Sequence, residues 1–347
     1  MTRIRVKCRG WRIVAMWMVS IALFLAAGSS SVLVNGSYSP NMENDPFATA
    51  KDSNSINLNT LKTSPNPNLL YDTPLALSPH DHFLMARPLA MENMIWMTPD
   101  YRYGYFVKES KTLHTGLDIP AEEGSPVFAT AEGEVIFSGY GILYGSGAKN
   151  DPYGIVVKIR HTQKYNNLTL YSMYAHLGRT AVKVGDQVTA GQTIGYVGMT
   201  GNTSGPHLHY ETRILGENGQ VTQNPELWLV PPLDHGVLAG RIMNNNGNLL
   251  HKWTFVLTSM ETGRDWIIST YDSKILLNHQ NDPYFKENYV FNDLPAGKYQ
   301  FSMWYNYVYY TTTIEIYPGV VNYVNFNGKK GFQKGCPPGS DLTDFLN

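Results

Sequence analysis

Between residues 113 and 227 the chain is written in short runs of β-branched and aromatic residues punctuated by glycine, a spacing that restricts it to strands joined by tight turns. The runs 126–130, 133–139, 154–161, 170–177 and 193–198 all have this form, and Val184-Gly185-Asp186-Gln187-Val188 supplies turn chemistry between them. No segment here carries a 3.6-residue apolar stripe, so the expectation is antiparallel sheet rather than helix. The glycines and Asn150-Asp151-Pro152 between Tyr140 and Tyr153 mark a longer loop, expected to wall a groove. The polar insert 162–167 is expected to shape the same walls.

A chain of 347 residues holds more than one core. Arg3, Arg5, Lys7, Arg9 and Arg12 precede an apolar run over 13–27 and the small residues 28–31, which has the form of a signal peptide and is short for a membrane span. Residues 1–31 are therefore expected to be a signal peptide or an uncleaved anchor, and either places the remainder outside the cytoplasm. Any membrane contact is expected only through that segment. Cys8 precedes the apolar run and leaves with it, so Cys336 alone remains, which forbids an internal disulfide. Residues 32–79, rich in Asn, Ser and Pro, read as a flexible spacer. Residues 80–232 read as one domain with an N-terminal extension, 233–327 as a β-sandwich whose strand-like runs recur after Pro231-Pro232, and 328–347 as a loosely held tail. Charged residues are 16% of the chain and the net charge is −1, which excludes the basic footprint of a nucleic-acid binder. Oligomeric state is left open.

Two histidines one residue apart, His207 and His209, lie in a strand-forming run, so both point to one face. Alone, such a pair is compatible with an exposed edge strand. Three other residues change its meaning. His114 and Asp118 stand four apart, and Gly116 with Ile119-Pro120 argues for an extended or looped backbone between and after them. His176 adds an imidazole on a further strand. Nitrogen and oxygen donors of this kind suit Zn²⁺, and a catalytic zinc takes three protein ligands. His114, Asp118 and one histidine of the pair make such a set. His80 and His82 form another spaced pair, beside the spacer, and are assigned to packing or surface.

At this point the sequence resembles the M23 family of zinc metallopeptidases, the group similar to lysostaphin and the LytM-type endopeptidases. The resemblance rests on HTGLD at 114–118, GSPVFATAEGEVIFSG at 124–139, YAHL at 174–177, VKVGDQVTAGQTIGYVGMTG at 182–201 and SGPHLHYE at 204–211. It implies that His114, Asp118 and His209 bind one zinc ion per catalytic domain, and that His176 and His207 are the catalytic histidines that bind no metal. Which of the two is the general base stays open. It further implies a mainly β protein, an antiparallel barrel-sandwich-like catalytic domain, and hydrolysis of peptide bonds in peptidoglycan cross-links or stem peptides outside the cytoplasm. His161 and Glu211 are assigned to the scaffold. A wall-binding protein on the same scaffold, or a peptidase of extracellular proteins, are the alternatives. The C-terminal sandwich resembles carboxypeptidase-regulatory, transthyretin-like domains through 236–242 and 292–299. It is expected to be accessory, with Tyr305, Tyr307, Tyr309 and Tyr310 assigned to packing ahead of glycan or peptide binding.

Overall fold

The computed structural model describes residues 81–95, 98–107, 112–216, 219–272, 281–334 and 337–338. The expectations for 1–79, for His80 and for Cys336 lie outside the described residues. The described residues are almost wholly strand and turn, with two 3₁₀ turns at Pro99–Tyr101 and Pro225–Leu227. No helix among them is long and apolar enough to cross a membrane.

A short ribbon of β1 (Phe106–Val107) and β2 (Thr112–Leu113) leads into a nine-stranded sheet. Its strands are β3 (Leu117–Pro120), β4 (Pro126–Phe128), β5 (Gly133–Tyr140), β6 (Ile155–Tyr165), β7 (Leu168–Thr180), β8 (Gln187–Val188), β9 (Thr193–Val197), β10 (His207–Gly216) and β11 (Gly219–Gln223). The main path runs β11-β10-β7-β6-β5-β8, with β3 on β10 and β9 on β7 and β4, all antiparallel. The two-residue alternation decides what each strand presents. Along β10, Leu208 and Tyr210 are fully buried in the core with Leu117 and Ile119 of β3, so Asp118, His207 and His209 take the opposite face. Burying each such apolar side chain is worth about 1.5–3 kcal/mol, which holds the register that keeps the three polar residues together. The core tyrosines keep their hydroxyls satisfied, since Tyr174 and Tyr210 both meet the Thr130 hydroxyl, at 2.9 and 3.1 Å.

The insert at 162–167 is not a groove wall. It is the tip of the β6–β7 hairpin, turned by Asn166 and Asn167 at φ 48° and 64°, left-handed values that asparagine tolerates. Lys164 pairs with Thr169 at the end of β7 remote from His176, so the tip cannot reach the histidines. Its Tyr165 instead packs edge-on against Trp228 and the buried His82. His82 in turn holds Asp282 at 2.6 Å. The extension lies across this surface: Met85 exchanges backbone hydrogen bonds with Trp228 and Val230, and Phe83, Met85, Leu89 and Ile95 are buried.

The C-terminal half has two four-stranded sheets. The first runs β15 (Tyr289–Pro295), β12 (His235–Met243), β18 (Val321–Asn327), β19 (Gly331–Lys334), and the second β14 (Asp265–Ser269), β13 (Thr254–Ser259), β16 (Gly297–Tyr305), β17 (Val308–Ile316). Residues of both sheets, among them Leu238, Phe291, Phe255 and Phe301, share one apolar cluster, the mark of a sandwich. The β12–β18 pair is parallel. Strand β19 lies within the stretch expected to be a loose tail, and Phe332 fixes it by packing 4.6 Å from Phe301. Of the four tyrosines, Tyr305 is buried and Tyr310 packs on Phe326, while Tyr307 and Tyr309 are exposed.

Candidate metal centre

His114 sits in the turn between β2 and β3, Asp118 in β3 and His209 in β10, where Asp118 and His209 are directly opposed across the antiparallel pair. Opposed side chains on one face of a strand pair lie within contact distance. Asp118 Oδ1 is 3.1 Å from His114 Nε2 and 2.8 Å from His209 Nδ1, and these two nitrogens are 3.2 Å apart. Among the described residues these three form a His/Asp group able to hold a cation. Four ligand atoms at tetrahedral zinc bond lengths stand about 3.3 Å from one another, close to this spacing.

Each imidazole is held by its other nitrogen. His114 Nδ1 donates to the Arg102 carbonyl at 3.0 Å, and His209 Nε2 faces Glu211 Oε1 at 3.2 Å. Glu211, two residues on in β10 and so on the same face, is fully buried. It also accepts from Tyr153 Oη at 2.8 Å, from the Thr115 hydroxyl and from Arg213 Nε at 2.5 Å. His207 Nδ1 donates to the Gly205 carbonyl at 2.9 Å, which leaves Nε2 as the acceptor nitrogen, 3.6 Å from Asp118. His176 Nδ1 donates to the Thr200 carbonyl at 2.8 Å, and its ring centre lies 4.9 Å from that of His207 and 5.8 Å from that of His209. These partners set the tautomer of each ring.

His176 has φ 58°, a left-handed conformation uncommon for residues other than glycine, though histidine, asparagine and aspartate adopt it more readily than most. The register of β6 and β7 slips between Ile155 and Val157, and the His176 amide donates to the Tyr153 carbonyl across the slip. Loop 141–154 is thereby tied to the histidines. Its frame is Asp151, which is fully buried and accepts from the amides of Leu143, Tyr144 and Tyr153 at 2.6, 3.1 and 3.0 Å. The loop before β10 packs on it so closely that a Cβ on Gly154 would stand 2.3 Å from Thr200 Oγ1. That contact, with φ 66°, requires glycine there.

The four histidines are 5–8% exposed, dry enough for charges to interact strongly yet open to an incoming ligand. Burial opposes ionisation of Asp118, but His114 and His209 outweigh it and hold the carboxyl well below the usual carboxylate range. Burial likewise disfavours a charged His209, and its hydrogen bonds to Asp118 and Glu211 reverse this, raising it to about 9. Burial, together with the neighbouring His209 and His207, pushes His176 down to about 3, so that it stays neutral. The arrangement couples a cation-binding corner to two imidazoles that burial keeps neutral.

All five residues singled out in the sequence meet here. The residues that orient them were not given that role in the sequence: Glu211, assigned to the scaffold, with Tyr153, Thr115, Thr200 and Arg102. Only Glu211 carried a sequence signal, its two-residue offset from His209. His161 is buried apart from the cluster, on Ser172 Oγ at 2.8 Å.

Residues 112–225 match the model described as Peptidase family M23. The DD-carboxypeptidase/endopeptidase Mpg of Neisseria meningitidis serogroup B is 42% identical over 105 residues, 30% of this chain and 21% of that protein. Peptidoglycan DD-endopeptidase ShyC of Vibrio cholerae is 38% identical over 118 residues, 34% of this chain and 23% of that protein. Glycyl-glycine endopeptidase ALE-1 of Staphylococcus capitis is 32% identical over 140 residues, covering 40% and 35%. The chain thus spans between 21% and 35% of the length of these relatives.

Proposed function

The stretch 112–225 is a peptidase family M23 domain, and from that premise we propose that the chain is an exported zinc metalloendopeptidase that cleaves peptide bonds of bacterial peptidoglycan. The observation that carries the reading is the convergence of His114 Nε2, Asp118 Oδ1 and His209 Nδ1 within 3.2 Å of one another. The donor set fits zinc: two imidazole nitrogens and one carboxylate oxygen, with both rings oriented from behind, and a carboxylate that draws a proton onto His209 in the cation's absence. Zinc when bound supplies an acidified water and a polarised scissile carbonyl.

The remaining work belongs to the chain. His176 and His207 present unprotonated nitrogens on one side of the ligand set, where one takes the proton of the attacking water and the other stabilises the charge that develops on the carbonyl oxygen. The Thr200 and Gly205 carbonyls hold the two rings in the required tautomers. Loop 141–154 and the loop before β10 meet His176 through the Tyr153 and Thr200 carbonyls. The peptidoglycan substrate is supported by the activities for which the relatives are named, among them a peptidoglycan DD-endopeptidase. The sandwich is accessory in this reading, and residues 1–31 direct export.

Zinc content of purified protein, set beside His114→Ala, Asp118→Ala and His209→Ala, tests the ligand set: one zinc in the wild type and none in the variants is expected, and full occupancy in any variant overturns it. Mass spectrometry of muropeptides after incubation tests the reaction. New peptide termini are expected from the wild type and are lost with His176→Ala or His207→Ala. Intact muropeptides with bound protein would point to a wall-binding role instead.

A further inference from the structure

The nitrogen of His114 that faces away from the cluster donates to a backbone carbonyl, and that carbonyl belongs to Arg102, twelve residues earlier in the extension. Segment 102–105 is a clip on His114: Gly104 donates to the His114 carbonyl at 2.9 Å and the His114 amide donates to the Tyr105 carbonyl at 2.7 Å. What holds the clip lies on its other side. The Arg102 guanidinium is buried, pairs with Glu226, and stacks 3.4 Å above the ring of Phe291 in β15 of the sandwich. Glu226 Oε2 also accepts from the Asn292 amide at 2.6 Å, and the Asn292 side chain donates to the Glu226 carbonyl at 3.1 Å. The Gly104 carbonyl accepts from the Asp272 amide at 3.0 Å, and Gly104, at φ 78°, lies flat on Tyr271, where a Cβ would come within 2.8 Å of the ring. The Tyr103 hydroxyl donates to the Thr222 carbonyl at 3.0 Å. These clip contacts end on the sandwich, at Tyr271, Asp272 and Phe291, and on the C-terminal end of the catalytic domain, at Thr222 of β11 and Glu226.

We propose that Arg102 is a positioning residue of the metal site, through which the C-terminal sandwich holds His114 in place; this rests on the reading of His114 as a ligand. The sandwich is then a structural part of the metal centre as well as an appendage of the catalytic domain. The reason is geometric: the carbonyl that orients His114 is rigid only if its own residue is clamped, and the clamp on Arg102 is the Glu226 carboxylate and the Phe291 ring.

The test uses the full chain and compares wild type with Arg102→Met, Arg102→Lys, Phe291→Leu, His114→Ala and the control Phe301→Leu, which is buried in the sandwich away from the clip. Zinc affinity is read by chelator competition, and ligand geometry by the visible absorption of the cobalt-loaded protein. Arg102→Met and Phe291→Leu are expected to weaken zinc binding about 10–100-fold and to change the cobalt spectrum. Arg102→Lys should fall between, because the charge is kept and the planar stack is lost. Phe301→Leu should lower the unfolding temperature with zinc affinity and cobalt spectrum unchanged. Folded Arg102→Met and Phe291→Leu proteins with wild-type affinity and spectrum would overturn the proposal, as would a Phe301→Leu effect on zinc equal to that of Arg102→Met. If Arg102→Met does not fold, Phe291→Leu decides alone. Normal zinc binding by His114→Ala is a separate outcome that removes the ligand reading itself.

Discussion

At the scale of single residues, the chemistry of the centre depends on which nitrogen of each imidazole faces the cluster, and neighbours two to twenty-four residues away decide that. Glu211 is the most consequential of them, because it orients His209 while its charge is balanced by Arg213. Glu211→Gln keeps the shape and removes the charge, and zinc affinity is expected to fall about 10–100-fold in chelator competition while the protein stays folded. His161 gives a pH prediction independent of the metal. Burial pushes it down to about 4 from an ordinary value of 6.5. A histidine depressed in the fold contributes stability that is fully present above pH 6.5 and is lost as pH falls toward 4, because the unfolded chain takes up the proton first. The loss amounts to about 3 kcal/mol, at about 1.4 kcal/mol per unit. Urea unfolding at pH 7 and at pH 4.5 should show this loss in the wild type, and a correspondingly smaller pH dependence in His161→Gln.

At the scale of elements, the antiparallel β3–β10 pair and the two loops beside His176 do different work. The strand pair is fixed by core burial on its other face. Loop 141–154 sets Ile142 and Tyr153 on the small apolar cluster of Val156, Met173 and Ala175, and polar ties frame it, chiefly the Asp151 carboxylate beneath three amides. Asp151→Ala leaves those donors unpaired, at about 1–3 kcal/mol each where they are buried. Faster amide exchange confined to 141–154, with the exchange of β10 unchanged, is the expected outcome. The positive φ of His176 belongs to this scale as well. A strained backbone persists only where its surroundings determine it, and here the Tyr153 and Thr200 carbonyls grip the residue from both loops.

At the scale of the whole molecule, the extension, the nine-stranded sheet and the sandwich share buried surface: Phe83, Tyr210 and Val290 belong to one apolar cluster. The Arg87–Asp293 pair crosses the same junction, with contacts of 2.9 and 3.1 Å and both side chains nearly inaccessible. Asp293→Ala leaves a buried guanidinium unpaired and is expected to cost about 3–5 kcal/mol, seen in calorimetry as one shifted transition rather than two. The strands, the common face of His207 and His209, and the extended backbone at Asp118 were legible from the residues alone, because side-chain alternation is a local property. Resemblance to a family supplied the division of roles among the five. The register that opposes Asp118 to His209 across 91 residues, the placement of 162–167 at the remote end of a hairpin, and the route from the sandwich through Arg102 to His114 were not legible. Each depends on how distant segments pack against one another, and that is settled by burial of the whole core rather than by any stretch of chain.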